Sequence, residues 1–306
     1  MNTVLIVPAR NAEKDLPDFL ASLESNYQSS WYVYFIDEAS TDETAQQLEE
    51  WCRQHRRGEV IRRNRRSGPP AARNAALAVC LKADFDFIVL HDSDCMLEAN
   101  TIAAHHRAHK LKQTAGIIGG PVRSIHKTPI GRADGYASWF TSPPGKASGF
   151  VRNLHLPTCN LSIKPWVFHR IGLFQEDLAT GEDVAFCSEA HRTGIPIYFE
   201  SRAICGHKDR DLLEDALLHH RRWGEHTHAV RTNSRAFLSG FVPNNPFLCR
   251  ILAIPYALSF TFLVMGLWFP YDPRVIWDSY RIYRMKRAFT SGMVTGALCR
   301  KMHPDS

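Results

Sequence analysis

Apolar residues near the N-terminus fall in a short unbroken run, Thr3 to Val7, that stops at Pro8. Such a run predicts a strand covered on both faces, as inside a parallel sheet. The spacing then changes: Leu16, Phe19, Leu20 and Leu23 recur with helical period, and Tyr32 to Ile36 forms a second apolar run ending at Asp37. A Ser40 or Thr41 cap, acids at Asp42 and Glu43, and the stripe Ala45, Leu48, Trp51 predict a helix over 41–54. Val60 and Ile61 read as a short strand, Ala71 to Leu81 as a small-residue helix, and Phe85 to Leu90 as another buried strand running into His91 and Asp92. Strand and helix alternate, which predicts an α/β fold with a mostly parallel sheet flanked by helices.

Gly116 to Val122 continues the pattern as a strand, and Arg123 to Leu156, rich in Gly, Pro, Ser and aromatics, reads as a long excursion or lid. Asn160 to Ile163, a helix from Pro165, the turn Thr180-Gly181-Glu182-Asp183, a helix over Val184 to Arg192, strands at Ile197 to Phe199 and Ala203 to Cys205, and a helix over Leu212 to Trp223 complete a mixed half. Past Pro246 the character changes. Ile251 to Phe269 is nearly uncharged and about long enough to cross a bilayer, with Pro255 inside it and Pro270 after it. Arg and Lys flank it on both sides, so a single span would break the positive-inside bias. An in-plane or re-entrant membrane attachment is expected, with a packed core helix and a true span as alternatives. The expected division is a catalytic domain over 1–230 and an apolar, basic helical appendage over 231–306.

The 306 residues suffice for a substantial core, and 44% hydrophobic with 22% charged content is ordinary for a globular chain. The net charge of +6 is concentrated at Arg62 to Arg66, at Arg221 and Arg222, and from Arg281 to Arg287, which fits phosphates or anionic headgroups as well as a solvated face. No zinc-finger spacing or RNA-binding aromatic signature accompanies the charge, so no nucleic-acid partner is expected. Eight cysteines without a C-x-x-C pair point to a reducing compartment, and the first apolar run is too brief for a secretory signal. The expected location is the cytoplasm, at the cytoplasmic face of the membrane.

Ligands of open α/β sheets bind beyond the carboxyl ends of the strands. Here those ends carry Pro8-Ala9-Arg10-Asn11, Asp37-Glu38 and Asp92-Ser93-Asp94. Two carboxylates one residue apart after a buried strand can share a divalent cation such as Mn2+ or Mg2+ that bridges to a diphosphate. Alone, an Asp-x-Asp turn is more often a solvated cap; its place after Phe85 to Leu90 makes it a candidate site.

The run Ile6-Val7-Pro8-Ala9-Arg10-Asn11, then Asp37-Glu38-Ala39-Ser40-Thr41-Asp42, Gly68 with Ala72-Arg73-Asn74, His91-Asp92-Ser93-Asp94, Asn160 and Gly181-Glu182-Asp183 resembles, in order, a family 2 inverting glycosyltransferase with the GT-A nucleotide-diphospho-sugar transferase fold, over about residues 1–230. The resemblance implies a sugar moved from a nucleotide diphosphate, such as a UDP-, dTDP- or GDP-sugar, to a hydroxyl of a glycan or lipid-linked acceptor in cell-surface glycan or glycolipid synthesis. It puts Pro8, Ala9, Arg10 and Asn11 near the nucleotide base, Asp37 or Glu38 at base or ribose, and Arg73, Asp92 and Ser93 with the nucleotide and its phosphates. Asp94 and His207, with Asp92, become the metal ligands. Asp183 becomes the general base and Glu182 its neighbour orienting it or meeting the acceptor. Asn160, Arg222 and Trp223 fall to the acceptor. The family's Gln-x-x-Arg-Trp motif has His219 in place of Gln, and the family's usual second Asp is Glu38. A sugar nucleotidyltransferase and a catalytically silent nucleotide-sugar-binding scaffold are the alternatives.

Overall fold

The computed structural model describes residues 2–26, 31–233, 243 and 245–302. In chain order the elements are β1 (Thr3–Ala9), α1 (Leu16–Ser25), β2 (Trp31–Glu38), α2 (Thr44–His55), β3 (Gly58–Arg63), α3 (Pro69–Cys80), β4 (Phe87–His91), β5 (Cys95–Leu97), α4 (Thr101–Leu111), β6 (Ile117–Gly119), β7 (Val122–Ser124) and α5 (Pro129–Ser138). There follow β8 (Gly149–Val151), β9 (Asn160–Ile163), α6 (Pro165–Ile171), α7 (Glu182–Arg192), β10 (Ile197–Phe199), β11 (Cys205–His207), α8 (Leu213–Asn233), α9 (Pro246–Trp268) and α10 (Ser279–Met302).

Among the described residues eight strands form the main sheet in the order β3-β2-β1-β4-β9-β6-β10-β8. The first four run parallel; β9 runs antiparallel to both β4 and β6. Strand alternation explains why β1 is apolar from Val4 to Ala9. Val4 and Ile6 face a core built with Ala72, Ala76 and Leu77 of α3 and Phe186 of α7, while Leu5 and Val7 face the opposite layer with Leu16, Phe19, Leu48 and Trp51. Both faces are dry, and the one polar side chain on β1, that of Thr3, is paired with His106 at 2.7 Å.

The expected strand over 116–122 divides in two. β6 stays in the main sheet, and after Gly120-Pro121 the chain enters a small second sheet, β5-β11-β7. Gly120 permits the step, since a Cβ there would lie 1.9 Å from the Ala203 carbonyl oxygen. The expected excursion over 123–156 contains α5 and β8 rather than being wholly loop. α5 is tied to the C-terminal segment: Arg132 Nε donates to Asp278 Oδ2 at 2.7 Å and Tyr136 donates to Asp272 at 2.5 Å.

The C-terminal helices share a core with the rest of the chain, in which Ala133, Tyr136 and Ala216 meet Val264, Trp268, Ile282 and Met285. Residue 230 lies inside α8. Where α8 and α10 cross, glycines bring the backbones together: a Cβ on Gly292 would stand 2.0 Å from the Arg221 carbonyl oxygen, and one on Gly224 would stand 1.9 Å from that of Phe289. Backbone cannot retreat as a flexible side chain can, so overpacking there is costly. Gly292→Ala is expected to lower unfolding stability by about 1–3 kcal/mol, read as a reduced urea midpoint; an unchanged midpoint would show that the helices do not pack this closely.

Candidate active site

Neighbouring strand ends of the parallel half present the chain's polar clusters side by side. At the end of β1, Pro8 and Ala9 are buried, whereas Arg10 and Asn11 are exposed. Asn11 takes positive φ (49°), and its Oδ1 accepts from the Thr41 N–H at 3.0 Å while its own N–H donates to Ser40 Oγ at 3.0 Å. Asp37 and Glu38 are both 4% exposed. Asp37 Oδ1 accepts from the Ser40 N–H at 3.3 Å, and Glu38 Oε1 accepts from the N–H and hydroxyl of Ser67 at 3.0 and 2.9 Å. Glu38 thereby fastens the loop leading into α3.

Arg73 on α3 is 1% exposed and joins two distant acids. Its guanidinium donates to Glu182 Oε1 and to Asp92 Oδ1, each at 2.6 Å. The resemblance puts Arg73 at the nucleotide phosphates; here its two terminal nitrogens hold the carboxylates, while its Nε–H has no partner among the described residues and the residue borders the cavity. Thr158 also donates to Glu182 Oε1, at 3.2 Å. Burial pushes the Glu182 carboxyl above its ordinary value in spite of Arg73.

Helix α7 begins two residues earlier than the expected 184, so Glu182 and Asp183 form its first turn. Gly181 makes this start possible: it has φ +81°, and a Cβ there would lie 2.8 Å from Val230. Asp183 is half-buried, with the Val184 N–H donating to its Oδ1 at 2.8 Å. Burial raises its pKa to about 6. A raised folded pKa means that the neutral form is favoured: Asp183's contribution to stability is complete below the ordinary aspartate range and is lost as pH rises through about 6.

His207 ends β11 instead of following a strand over 203–205. Its Nε2 is 3.6 Å from Asp94 Oδ2, and its Nδ1 is 3.0 Å from Oδ1 of Asp209. Asp209 is 2% exposed and also accepts from the Trp139 indole at 2.9 Å. Burial lowers the His207 pKa, but Asp94 and Asp209 overcome it and raise the value to about 10. A carboxylate behind a histidine whose other nitrogen faces a second carboxylate is the usual support for a metal ligand. Asp94 and His207 offer hard O and N donors within 4.8 Å of each other, with Asp92 at the same strand end, so this donor set fits a divalent cation. Behind it Cys95, Cys159 and Cys205 pack as buried free thiols.

Asp92, Asp94, His207, Arg73, Glu182 and Asp183 border one cavity of about 660 Å³. Trp223 and His219 border it as well, their rings 4.3 Å apart. The chain matches the model of glycosyl transferase family 2 over residues 4–165, more than half its length. It belongs to that family. A pre-mycofactocin glycosyltransferase of Mycobacterium tuberculosis is 22% identical over 218 residues, 70% of this chain but 44% of that protein, so the chain spans less than half of the curated relative. Among solved structures, a mannosyltransferase of Pyrobaculum calidifontis in complex with GDP-Man and Mn2+ superposes with a TM-score of 0.61 at 16% identity, covering 99% of this chain and 88% of that one. TarS 1–349 of S. aureus in complex with UDP-GlcNAc gives 0.56 at 17% identity, covering 98% and 92%. These neighbours share the GT-A fold with this family 2 glycosyltransferase.

Two expected acceptor contacts lie elsewhere. Asn160 is 1% exposed; its amide donates to the carbonyls of Pro121 and Ala203 at 3.0 and 2.7 Å, and its Oδ1 meets His105 at 3.1 Å. It locks the two sheets together and has no group left for an acceptor. Arg222 is exposed on α8 and does not border the cavity, whereas Trp223 does, because residues adjacent on a helix point about 100° apart. Ser93 and the group from Pro8 to Asn11, with Asp37 and Glu38, also lie outside that cavity. Asp209 and Thr158 were not expected; only the spacing of Asp209 from His207 hints at it. Arg73→Met would leave two carboxylates without their cation, and is expected to cost about 3–5 kcal/mol of stability, measured by denaturant unfolding; a loss below about 1 kcal/mol would remove Arg73 from this role.

Proposed function

We propose that this glycosyltransferase is a metal-dependent inverting enzyme that moves a sugar from a nucleoside-diphosphate sugar to a hydroxyl of a lipid-linked or cell-surface glycan precursor. The observation carrying the reading is Asp183: a carboxyl raised to about 6, at a helix N-terminus, on the same cavity as Asp92, Asp94 and His207. Inversion by single displacement needs one carboxylate to accept the acceptor hydroxyl's proton while the oxygen attacks the anomeric carbon. A pKa near 6 leaves Asp183 ionised at neutral pH yet more basic than an ordinary aspartate. Glu182, held by Arg73 and Thr158, keeps this turn in place. Asp94 and His207, with Asp92, would hold the cation, which when bound supplies positive charge for the departing diphosphate. Asp209 keeps the His207 ring oriented. The strand-end group from Pro8 to Asn11 with Asp37 and Glu38 is the proposed nucleoside subsite, next to β4 in sheet order.

Asp183→Asn is expected to lower transfer by at least about 100-fold while leaving nucleotide and Mn2+ binding intact. Wild-type kcat should rise with pH through about 6 and then level, because only the ionised carboxylate accepts the proton. Release of nucleoside diphosphate from labelled donors reads the reaction. Undiminished turnover by the Asn variant removes Asp183 as base, and pyrophosphate release instead of nucleoside diphosphate removes sugar transfer.

The membrane contact is proposed from α9, which is 23 residues long and apolar enough by length and composition to cross a bilayer. Cys249, Ala253, Ala257, Thr261 and Val264 bury one stripe of it, while Phe247, Ile251, Ile254 and Phe262 are more than half exposed on the other side. A helix packed on protein along one face with apolar residues outward along the other suits lying in the interface better than spanning it. Trp277 and Tyr280 are 80% and 69% exposed beside it, as aromatic interface anchors are. With eight free cysteines, the face in contact is proposed to be the cytoplasmic one. Phe262→Glu with Trp277→Glu is expected to abolish cosedimentation with anionic vesicles while the thermal midpoint stays put; retained sedimentation overturns the contact.

A further inference from the structure

The cavity has a second half that the donor chemistry does not use. α9 contributes Tyr256, Phe260 and Leu263 to its wall, α10 contributes Phe289 and Met293, and among these apolar side chains stands one ammonium, that of Lys286. Lys286 is 7% exposed. Its Nζ donates to the Ala137 carbonyl oxygen at 2.8 Å and lies 5.2 Å from the ring centroid of Phe140 and 6.0 Å from that of Phe289. An ammonium carries three N–H donors, and a single carbonyl answers one of them here. Ring faces help, but a buried cation without a carboxylate is costly.

The acid acting most on Lys286 is Asp134, and it is already engaged: Oδ1 is 2.9 Å from His220 Nε2, and Oδ2 accepts from the Arg210 N–H at 3.0 Å. Among the described residues Lys286 forms no ion pair. The charged groups it feels are Asp134 and Arg231, not Asp92 or Asp94, so it belongs to the α10 side of the cavity and not to the strand-end carboxylates. Burial accordingly lowers its pKa to about 8.

We propose that Lys286 and the ring of apolar side chains around it form an acceptor-side subsite for an amphiphilic anion, in which an apolar chain lies along Phe260, Leu263 and Met293 and an anionic oxygen completes the coordination of Nζ. The chemistry fixes the class: a phosphate monoester or a carboxylate joined to an apolar body. The inference rests on the glycosyltransferase reading for calling this the acceptor side. The exposed apolar face of α9 (Phe247, Ile251, Ile254, Phe262) belongs to the same helix as this wall.

Decyl phosphate, decanoate and decanol, titrated into the full chain below micellar concentration, test it through the fluorescence of Trp139 and Trp223, both on the cavity. At least one anion should bind saturably and at least roughly tenfold more tightly than decanol, the scale of a charge-assisted hydrogen bond. Lys286→Met should remove that advantage, Lys286→Arg should restore most of it, and both variants should bind nucleoside diphosphate with Mn2+ within about twofold of the wild type. Phosphate and decanoate arms tell which anion is preferred. Equal binding of the anions by Lys286→Met overturns the proposal, as does a loss of nucleoside diphosphate binding in its place, which would assign Lys286 to the donor. Anion binding through Lys286 in a chain that turns over no donor leaves the subsite standing and removes only the transfer reading.

Discussion

Everything at the site hangs on Arg73. One guanidinium, almost wholly buried, holds the acid that ends β4 and the acid that opens α7 at 2.6 Å each. Removing the charge from water costs several kcal/mol per ion, and the attraction repays it only with near-ideal geometry on both sides. The arrangement is therefore weak evidence for stability but strong evidence for position. It fixes the distance between the strand edge carrying Asp92 and Asp94 and the helix start carrying Glu182 and Asp183, so that the two sets of carboxylates border one cavity.

Within that frame each acid is tuned differently. Glu182 has a cation and a hydroxyl against it, and serves the frame. Asp183, one residue on, is raised by burial to about 6 in spite of Arg73. The burial that would suit it to the proposed role of base also costs stability, since above about pH 6 the fold carries a half-buried charge it would rather neutralise. His207 lies between Asp94 and Asp209, and that excess of negative charge invites either a proton or a cation.

The C-terminal helices extend this logic to the far wall. α10 crosses α8 at glycine contacts and α9 lies beside α10, so the cavity is closed by residues far along the chain from the family 2 match. Among the described residues on the α9 and α10 side, Lys286 is the one ammonium and most side chains are apolar, while Asp92, Asp94, Glu182 and Asp183 border the cavity elsewhere. On the proposed reading, donor and acceptor would meet different sides of this cavity.

The parallel half was legible in local pattern. Both faces of β1, β2 and β4 are covered, so their apolar runs are unbroken, and the polar residues that follow had to stand at the sheet edge. The Gly181-Glu182-Asp183 turn was legible too, because glycine takes a positive backbone angle at less cost than most residues. What the pattern could not carry was pairing across the chain. Arg73 and Glu182 are 109 residues apart, and Asn160, read as an acceptor contact, is consumed by Pro121 and Ala203. Likewise nothing in the spacing of Ile251 to Phe269 says which side of the helix meets protein. Periodicity records whether a residue is covered; which group covers it is decided only when distant segments close to contact distance, and hydrogen bonds, with their narrow tolerance in length and angle, select among the partners that arrive.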